Sequence, residues 1–220
     1  MEGLLGEVRG LDLTDEKGFL CARTLGDMGA DVIKVEKPGG DRARNIGPFY
    51  KDEPDPEKSL YWFAYNANKR GITLNIETSS GREIFKRLAK QADVVVESFP
   101  PGYMEKLGLG YDELSKVNKG IIFTSITPFG QKGPYREFKG SDLVCWGLGH
   151  MLYLNGDRDR APVRCSAQHQ AYLHGGAEGA AATILALYYR ETSGEGQHVD
   201  VSIQACMTWI TQNSIEYWPL

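Results

Sequence analysis

Few side chains in this sequence have the type and spacing for chemistry. Cys21, Cys145, Cys165 and Cys206 stand far apart, with no Cys-x-x-Cys pair. That spacing predicts neither a zinc site nor a disulfide framework, and it reads as four reduced thiols in a cytosolic protein. His169 and His174 flank the start of a Gly/Ala-rich run. They could serve as acid–base groups, or be satisfied structural residues. Asp142 and Glu178 are the acidic residues nearest them that could act as nucleophiles. Neither standard nucleotide loop is present. The first strand-to-helix turn, LTDEKGFLCARTLG, lacks the G-x-G-x-x-G that lets a backbone approach a pyrophosphate. Gly108-Leu109-Gly110 follows a helix rather than a strand, and no Walker loop occurs.

The elements that would position these residues alternate. Glu7 to Leu13 reads as a first strand. Gly18 to Gly29 places Phe19, Leu20, Leu25 and Met28 at helical spacing. Asp31 to Glu36 (DVIKVE) is β-branched and stops at Lys37-Pro38-Gly39-Gly40. Residues 40–59 read as a long surface loop. Ile72 to Ile76 reads as a strand, and the next helix opens at Thr78-Ser79-Ser80-Gly81 with Ser79 or Ser80 as cap. Ala92 to Glu97 is a strand, followed by short helices near 103–107 and 111–117 and a strand at 120–126.

This alternation predicts βαβ units and a mainly parallel sheet. In such sheets ligands bind beyond the carboxyl ends of the strands, which singles out the turns at 36–44, 97–102 and 125–139. In the second half, 140–152 and 168–190 read as helices, the latter a central one because small side chains permit close packing. A strand at 198–203 and a helix at 204–217 follow.

Length and composition bound the class. The 220 residues suit one large domain, or one domain and part of another. The hydrophobic fraction of 41% supports a globular core. No apolar run approaches the roughly 18 residues that span a bilayer. The start, MEGLLGEVRGLDL, lacks a signal-peptide pattern. A net charge of −4 gives no nucleic-acid footprint.

The residues carry a resemblance. The run from Gly26 to Asp41 (GDMGADVIKVEKPGGD) resembles the opening βαβ of family III CoA-transferases, the relatives of formyl-CoA transferase, carnitine CoA-transferase and α-methylacyl-CoA racemase. Similar stretches follow in the family's order: Asn68-Lys69-Arg70, Leu74-Asn75, DVVVESFPPG at 93–102, Phe129-Gly130, Gly133-Pro134-Tyr135, Ala161-Pro162-Val163-Arg164 and GEGQHVDV at 194–201. Together they cover almost the whole chain.

The resemblance implies an α/β, Rossmann-like, mainly parallel sheet flanked by helices, the family's large domain. It also implies an interlocked homodimer or heterodimer. Residues 1–220 are expected to be the N-terminal part of that domain, with the smaller domain and the returning C-terminal segment absent. Coenzyme A or acyl-CoA is expected as substrate together with a carboxylic acid. No tightly bound cofactor, metal, nucleic acid or membrane is expected.

A pocket for CoA needs cations for its phosphates and apolar or planar surfaces for the base. Lys37, Arg42 and Arg44, just after a strand end, fit the first role. By resemblance, Lys37 contacts the nucleotide end of CoA, while Leu74 and Phe99 line the adenine and pantetheine path. Ser98 stands where relatives often have Asn, and Lys106 and Lys139 approach the phosphates.

The departure concerns the nucleophile. Family transferases attack the thioester with an aspartate at the start of the small-residue helix. Counting back from the GEGQ turn puts that position at Tyr172, and its neighbours from Gln168 to Gly176 include no aspartate. A phenol of pKa near 10 is a poor nucleophile at neutral pH and forms no acyl anhydride. Three readings stay open: a non-catalytic subunit whose partner supplies the aspartate, a transferase using another carboxylate, such as Asp142 or Glu178, or a direct ternary mechanism, or a paralogue that binds acyl-CoA without transfer. A racemase is not expected, because Ser141 stands at the family histidine and Tyr172 at its acidic partner.

Overall fold

The computed structural model describes residues 3–166 and 169–217. Six strands form one parallel sheet: β1 (Arg9–Leu13), β2 (Asp31–Glu36), β3 (Lys69–Thr73), β4 (Val94–Glu97), β5 (Ile122–Thr127) and β6 (His198–Ser202). Their spatial order is β3-β2-β1-β4-β5-β6, every pairing parallel. This is the doubly wound arrangement, in which the crossovers reverse direction between β1 and β4. The expected fold class is therefore observed.

Helices cover both faces. On one face lie α1 (Phe19–Asp27), α6 (Asp142–Leu148), α7 (Gln170–Ser193) and α8 (Ile203–Ile210); on the other, α3 (Ser79–Ala89), α4 (Tyr103–Lys106) and α5 (Tyr111–Val117). The buried strands alternate their side chains between two cores. Val94, Val96, Ile122 and Ile126 face α1 and α7, whereas Val95 and Phe123 face Phe85, Met104 and Leu114. Burying each such side chain contributes about 1.5–3 kcal/mol.

Helix α7 is central, as its composition predicts. A Cβ on Gly176 would meet Leu20 Cβ at 2.9 Å, and one on Gly179 would meet Ile126 Cδ1 at 2.8 Å. Glycine at these two positions lets α7 lie directly against α1 and β5. The helix ends where Gly194 turns left-handed (φ 72°). Its expected start at Gln168 lies outside the described residues.

Several boundaries differ from the sequence reading. The third strand begins at Lys69 rather than Ile72, because it pairs from Val32↔Lys69 to Glu36↔Thr73. Thr78, not Ser79 or Ser80, caps α3 through its bond from the Gly81 amide at 3.1 Å. The 40–59 loop carries 3-10 turns at Arg42–Asn45 and Tyr50–Asp52 and leads into an unexpected helix, α2 (Leu60–Asn66). Ser59 caps it by accepting from Trp62 N at 3.1 Å.

The helix expected over 140–152 stops at Leu148. Gly149 packs against Met207 and His150 turns left-handed, so Met151–Leu154 forms a separate 3-10 turn. The last helix also breaks, at Thr211, before α9 (Gln212–Tyr217). Among the described residues, no helix is long and apolar enough to cross a membrane.

Candidate functional site

The carboxyl ends of β1, β2 and β4 open into a cleft of two joined cavities. The first, about 250 Å³, is lined by Thr14, Asp15, Lys37, Asp41, Arg42 and Ser98 among others. The second, about 290 Å³, is lined by Pro38, Leu74, Asn75, Glu77 and Tyr103. Leu13, Val35, Lys37 and Phe99 border both. The location follows from topology: β1 and β4 flank the switch point, and their loops diverge there.

Five of the expected residues converge on this cleft: Lys37, Arg42, Leu74, Ser98 and Phe99. Lys37 is exposed at the mouth shared by both cavities. Ser98 ties the two switch-point loops together, donating to Asp15 Oδ1 at 2.8 Å and accepting from Asp15 N at 2.9 Å. Phe99 stacks at 4.6 Å on Tyr103. Arg42 pairs with Glu16 at the rim, and its guanidinium lies 3.7 Å from Asp15.

The other cations behave differently. Arg44 lines neither cavity. Its guanidinium binds both Glu36 oxygens, at 2.7 and 2.8 Å, reaches Glu57 at 3.0 Å, and lies 4.2 Å over the Trp62 ring. Two charge-assisted bonds and a ring contact hold it behind Glu36, which lines the first cavity. Lys106 and Lys139 are exposed and border neither cavity.

Below Phe99 lies a carboxyl that sequence reasoning did not single out. Glu97 is 3% exposed and accepts from Phe99 N at 2.7 Å. Burial raises it to about 7, against the Ser125 hydroxyl and the Phe99 amide, which favour its ionised form. Ser125 in turn lies 2.9 Å from His198 Nε2.

Tyr172 lies outside both cavities, in the first turn of α7. It is 7% exposed, and its backbone N–H donates to Asp142 Oδ1 at 3.2 Å. Burial, then Glu16, Cys145, Asp15 and Asp142, push its phenol well above the usual range, so it stays protonated. The His169 ring lies 5.3 Å from the Tyr172 ring, and His169 Nδ1 is 3.1 Å from the Tyr61 hydroxyl. Tyr61 belongs to α2, the helix absent from the sequence reading.

The two alternative carboxylates separate here. Asp142 adjoins Tyr172, is buried at the start of α6, and pairs with Arg164 at 3.3 Å. Glu178 is exposed on α7 and acts electrostatically on Cys206. His174 is half-buried, two residues beyond Tyr172 on α7. Ser141 accepts from Val144 N at 3.3 Å as the cap of α6. Among the described residues no group of His, Cys, Asp and Glu side chains could hold a metal ion.

The fold and cleft define a doubly wound α/β protein with an open cleft at the switch point. The chain belongs to CoA-transferase family III, whose model matches residues 6–219. It is 41% identical over 212 residues to the succinyl-CoA:(R)-benzylsuccinate CoA-transferase subunit BbsE of Thauera aromatica, an alignment covering 96% of this chain and 52% of that protein. It is 40% identical to the succinyl-CoA–L-malate CoA-transferase beta subunit of Chloroflexus aurantiacus, over 83% of this chain and 44% of the relative.

The crystal structure of a CAIB/BAIF family protein from Brucella suis superposes with a TM-score of 0.91 at 36% identity, covering all of this chain and 58% of that one. The chain thus spans about half the length of the curated relatives it matches.

Proposed function

We propose that this chain is the CoA-binding large-domain portion of a CoA-transferase that moves coenzyme A between an acyl-CoA and a carboxylic acid. The observation that carries this reading is the convergence of Lys37, Arg42, Leu74, Ser98 and Phe99 on one cleft at the switch point. Lys37 and Arg42 supply charge for the phosphates of CoA. Leu74 and Phe99 supply the apolar walls for its base and pantetheine.

The chain works as one subunit of a heteromeric enzyme, interlocked with a related subunit that supplies the nucleophilic carboxylate. Tyr172 supports this. A buried, protonated phenol neither attacks a thioester nor departs from an anhydride. Two of the relatives are themselves named as subunits. Asp142 is committed to Arg164 and to the Tyr172 amide, and Glu178 is exposed and lines neither cavity, so neither replaces the missing aspartate. The enzyme operates in the cytoplasm, on CoA as a substrate rather than a tightly held cofactor.

The second reading is an acyl-CoA-binding paralogue without transfer, favoured by the same Tyr172. The test is CoA exchange between succinyl-CoA and free acids, run with the protein alone and with related subunits encoded beside it. Exchange only in the paired sample is expected. Exchange by the protein alone sinks the subunit reading, and exchange in neither sample, with CoA still bound, establishes the paralogue.

A further inference from the structure

Beneath the cleft, on the sheet face covered by α1, three charged side chains from adjacent strands meet out of water. The side chains of Asp12 on β1, Lys34 on β2 and Lys69 on β3 are 0%, 3% and 1% exposed. Asp12 and Lys34 are cross-strand partners in the parallel register. Lys69 Nζ donates to Asp12 Oδ2 at 2.8 Å, to Asn66 Oδ1 at 3.0 Å and to the Phe19 carbonyl at 3.1 Å. Lys34 Nζ donates to the Thr14 carbonyl, and lies 3.6 Å from Asp12 Oδ1 and 3.8 Å from Asp41 Oδ2. The Phe19 ring lies 4.9 and 5.4 Å from the two ammonium groups.

Burying these ions is costly. Each ion loses several kcal/mol of hydration, and well-packed apolar side chains of similar volume often give equal or greater stability. What apolar side chains could not do is hold Thr14. Asp12 Oδ1 accepts the Thr14 N–H at 2.8 Å and its hydroxyl at 2.6 Å, while Lys34 takes the Thr14 carbonyl. All three polar groups of Thr14 therefore end on this triad. Asp41, on the opposite loop, faces the Lys34 ammonium. Thr14 and Asp41 both line the first cavity.

We propose that Asp12, Lys34 and Lys69 are positioning residues that pre-shape the ligand cleft, fixing the Thr14 turn and drawing the Asp41 loop toward it before any ligand arrives. None of the three reaches the cavity itself. Their effect passes through Thr14 and Asp41. The ligand class, CoA, rests on the reading given under Proposed function.

The test combines amide hydrogen exchange with calorimetric titration of CoA, on the whole protein and on two variants. Lys69→Met leaves Asp12 with one cationic partner. Asn66→Ala removes one acceptor from Lys69 and leaves the charges paired. Neither residue lines the cleft. Exchange over residues 14–17 is expected to speed about tenfold in Lys69→Met and about twofold in Asn66→Ala, with β5 unchanged. The Kd for CoA should rise about tenfold and about twofold, respectively.

Unchanged loop exchange in a folded variant overturns the proposal. So does equal acceleration in β5, which would mark a purely structural role. If Lys69→Met does not fold, Asn66→Ala decides by the same two readings. If the unmodified protein binds no CoA, the CoA reading fails, while the exchange pattern still tests the triad.

Discussion

At the carboxyl ends of β1, β2 and β4, the polar groups lining the cleft are held by pairing: Ser98 with Asp15, Glu36 by Arg44 behind it, Arg42 with Glu16 at the rim. At the start of α7 the neighbouring surface is built from rings instead. Tyr65, Tyr61, His169 and Tyr172 follow one another at centroid distances of 4.8, 5.8 and 5.3 Å. The first region combines charged side chains, Lys37 and Arg42, with apolar walls, Leu74 and Phe99. The second holds a buried phenol, Tyr172, whose neighbours enclose it. On the proposed reading, binding and transfer are separable properties located on different elements: strand ends for one, a helix N-terminus for the other.

The sharpest way to break this contrast is to place a carboxylate at position 172. Tyr172→Asp removes a buried ring and adds a negative charge near Asp15, Glu16 and Asp142. The lost packing and the repulsion should destabilise the protein by about 4 kcal/mol in urea unfolding. Tyr172→Phe should cost about 1 kcal/mol or less. An aspartate variant as stable as the parent would mean that the α7 start is still built for a carboxylate, and the contrast would collapse.

Beside the cleft, buried under the Phe99 amide, Glu97 is a desolvated acid that gives a pH signature. Its folded value of about 7 lies above the ordinary 4.5. The folded state thus holds a proton that the unfolded state releases. The stabilisation is fully present below pH 4.5 and is lost as pH rises through about 7, a change of ~3 kcal/mol. Chemical unfolding of the parent across this window should show that decline, and Glu97→Gln should flatten it. The Asp12 carboxyl acts in the opposite direction. Burial raises it, but Lys34 and Lys69 outweigh burial and hold it below its usual value, so its contribution is lost only at acid pH. A parent whose stability stays level from pH 4.5 to 7 would leave no desolvated acid under Phe99.

Much of the cleft was legible before the structure. DVIKVE reads as a strand because its β-branched residues have a single fit, and it spans Asp31–Glu36 as expected. Once the strand ends are placed, topology brings Lys37, Leu74, Ser98 and Phe99 together. The start of β3 was missed because Lys69 and Arg70 look like surface residues. Only the long-range partner, Asp12, makes a buried lysine possible there. The helix α2 was missed because its aromatic run sits inside a stretch rich in Pro, Gly and charge. The pairing of Tyr61 with His169 spans 108 positions and leaves no local pattern. Asp12 and Lys34 did carry a signal: a charge in the middle of an apolar strand demands a partner.

Within the cleft the cations should rank by position. Lys37 borders both cavities, so Lys37→Ala should weaken CoA binding about tenfold, or ~1.4 kcal/mol. Lys106→Ala and Lys139→Ala remove exposed charges that border neither cavity, and calorimetry should show changes of about twofold or less. Equal losses from all three would mean that phosphate is held by a diffuse field rather than at the strand end.

The smallest effect isolates the aromatic region. The Tyr61 hydroxyl meets His169 Nδ1 at 3.1 Å in a half-buried contact. Tyr61→Phe keeps the ring stacked on Tyr65 and removes only this bond, so stability should fall by about 1 kcal/mol. Combined with His169→Gln in a double-mutant cycle, the coupling should be about 0.5–1 kcal/mol. The Kd for CoA should not move in either single variant, because neither side chain lines the cleft. If instead the coupling vanishes and CoA affinity falls, the rings are part of the binding surface. The division between the polar cleft and the aromatic region would then be wrong at its boundary, with α2 rather than α7 as the element that joins them.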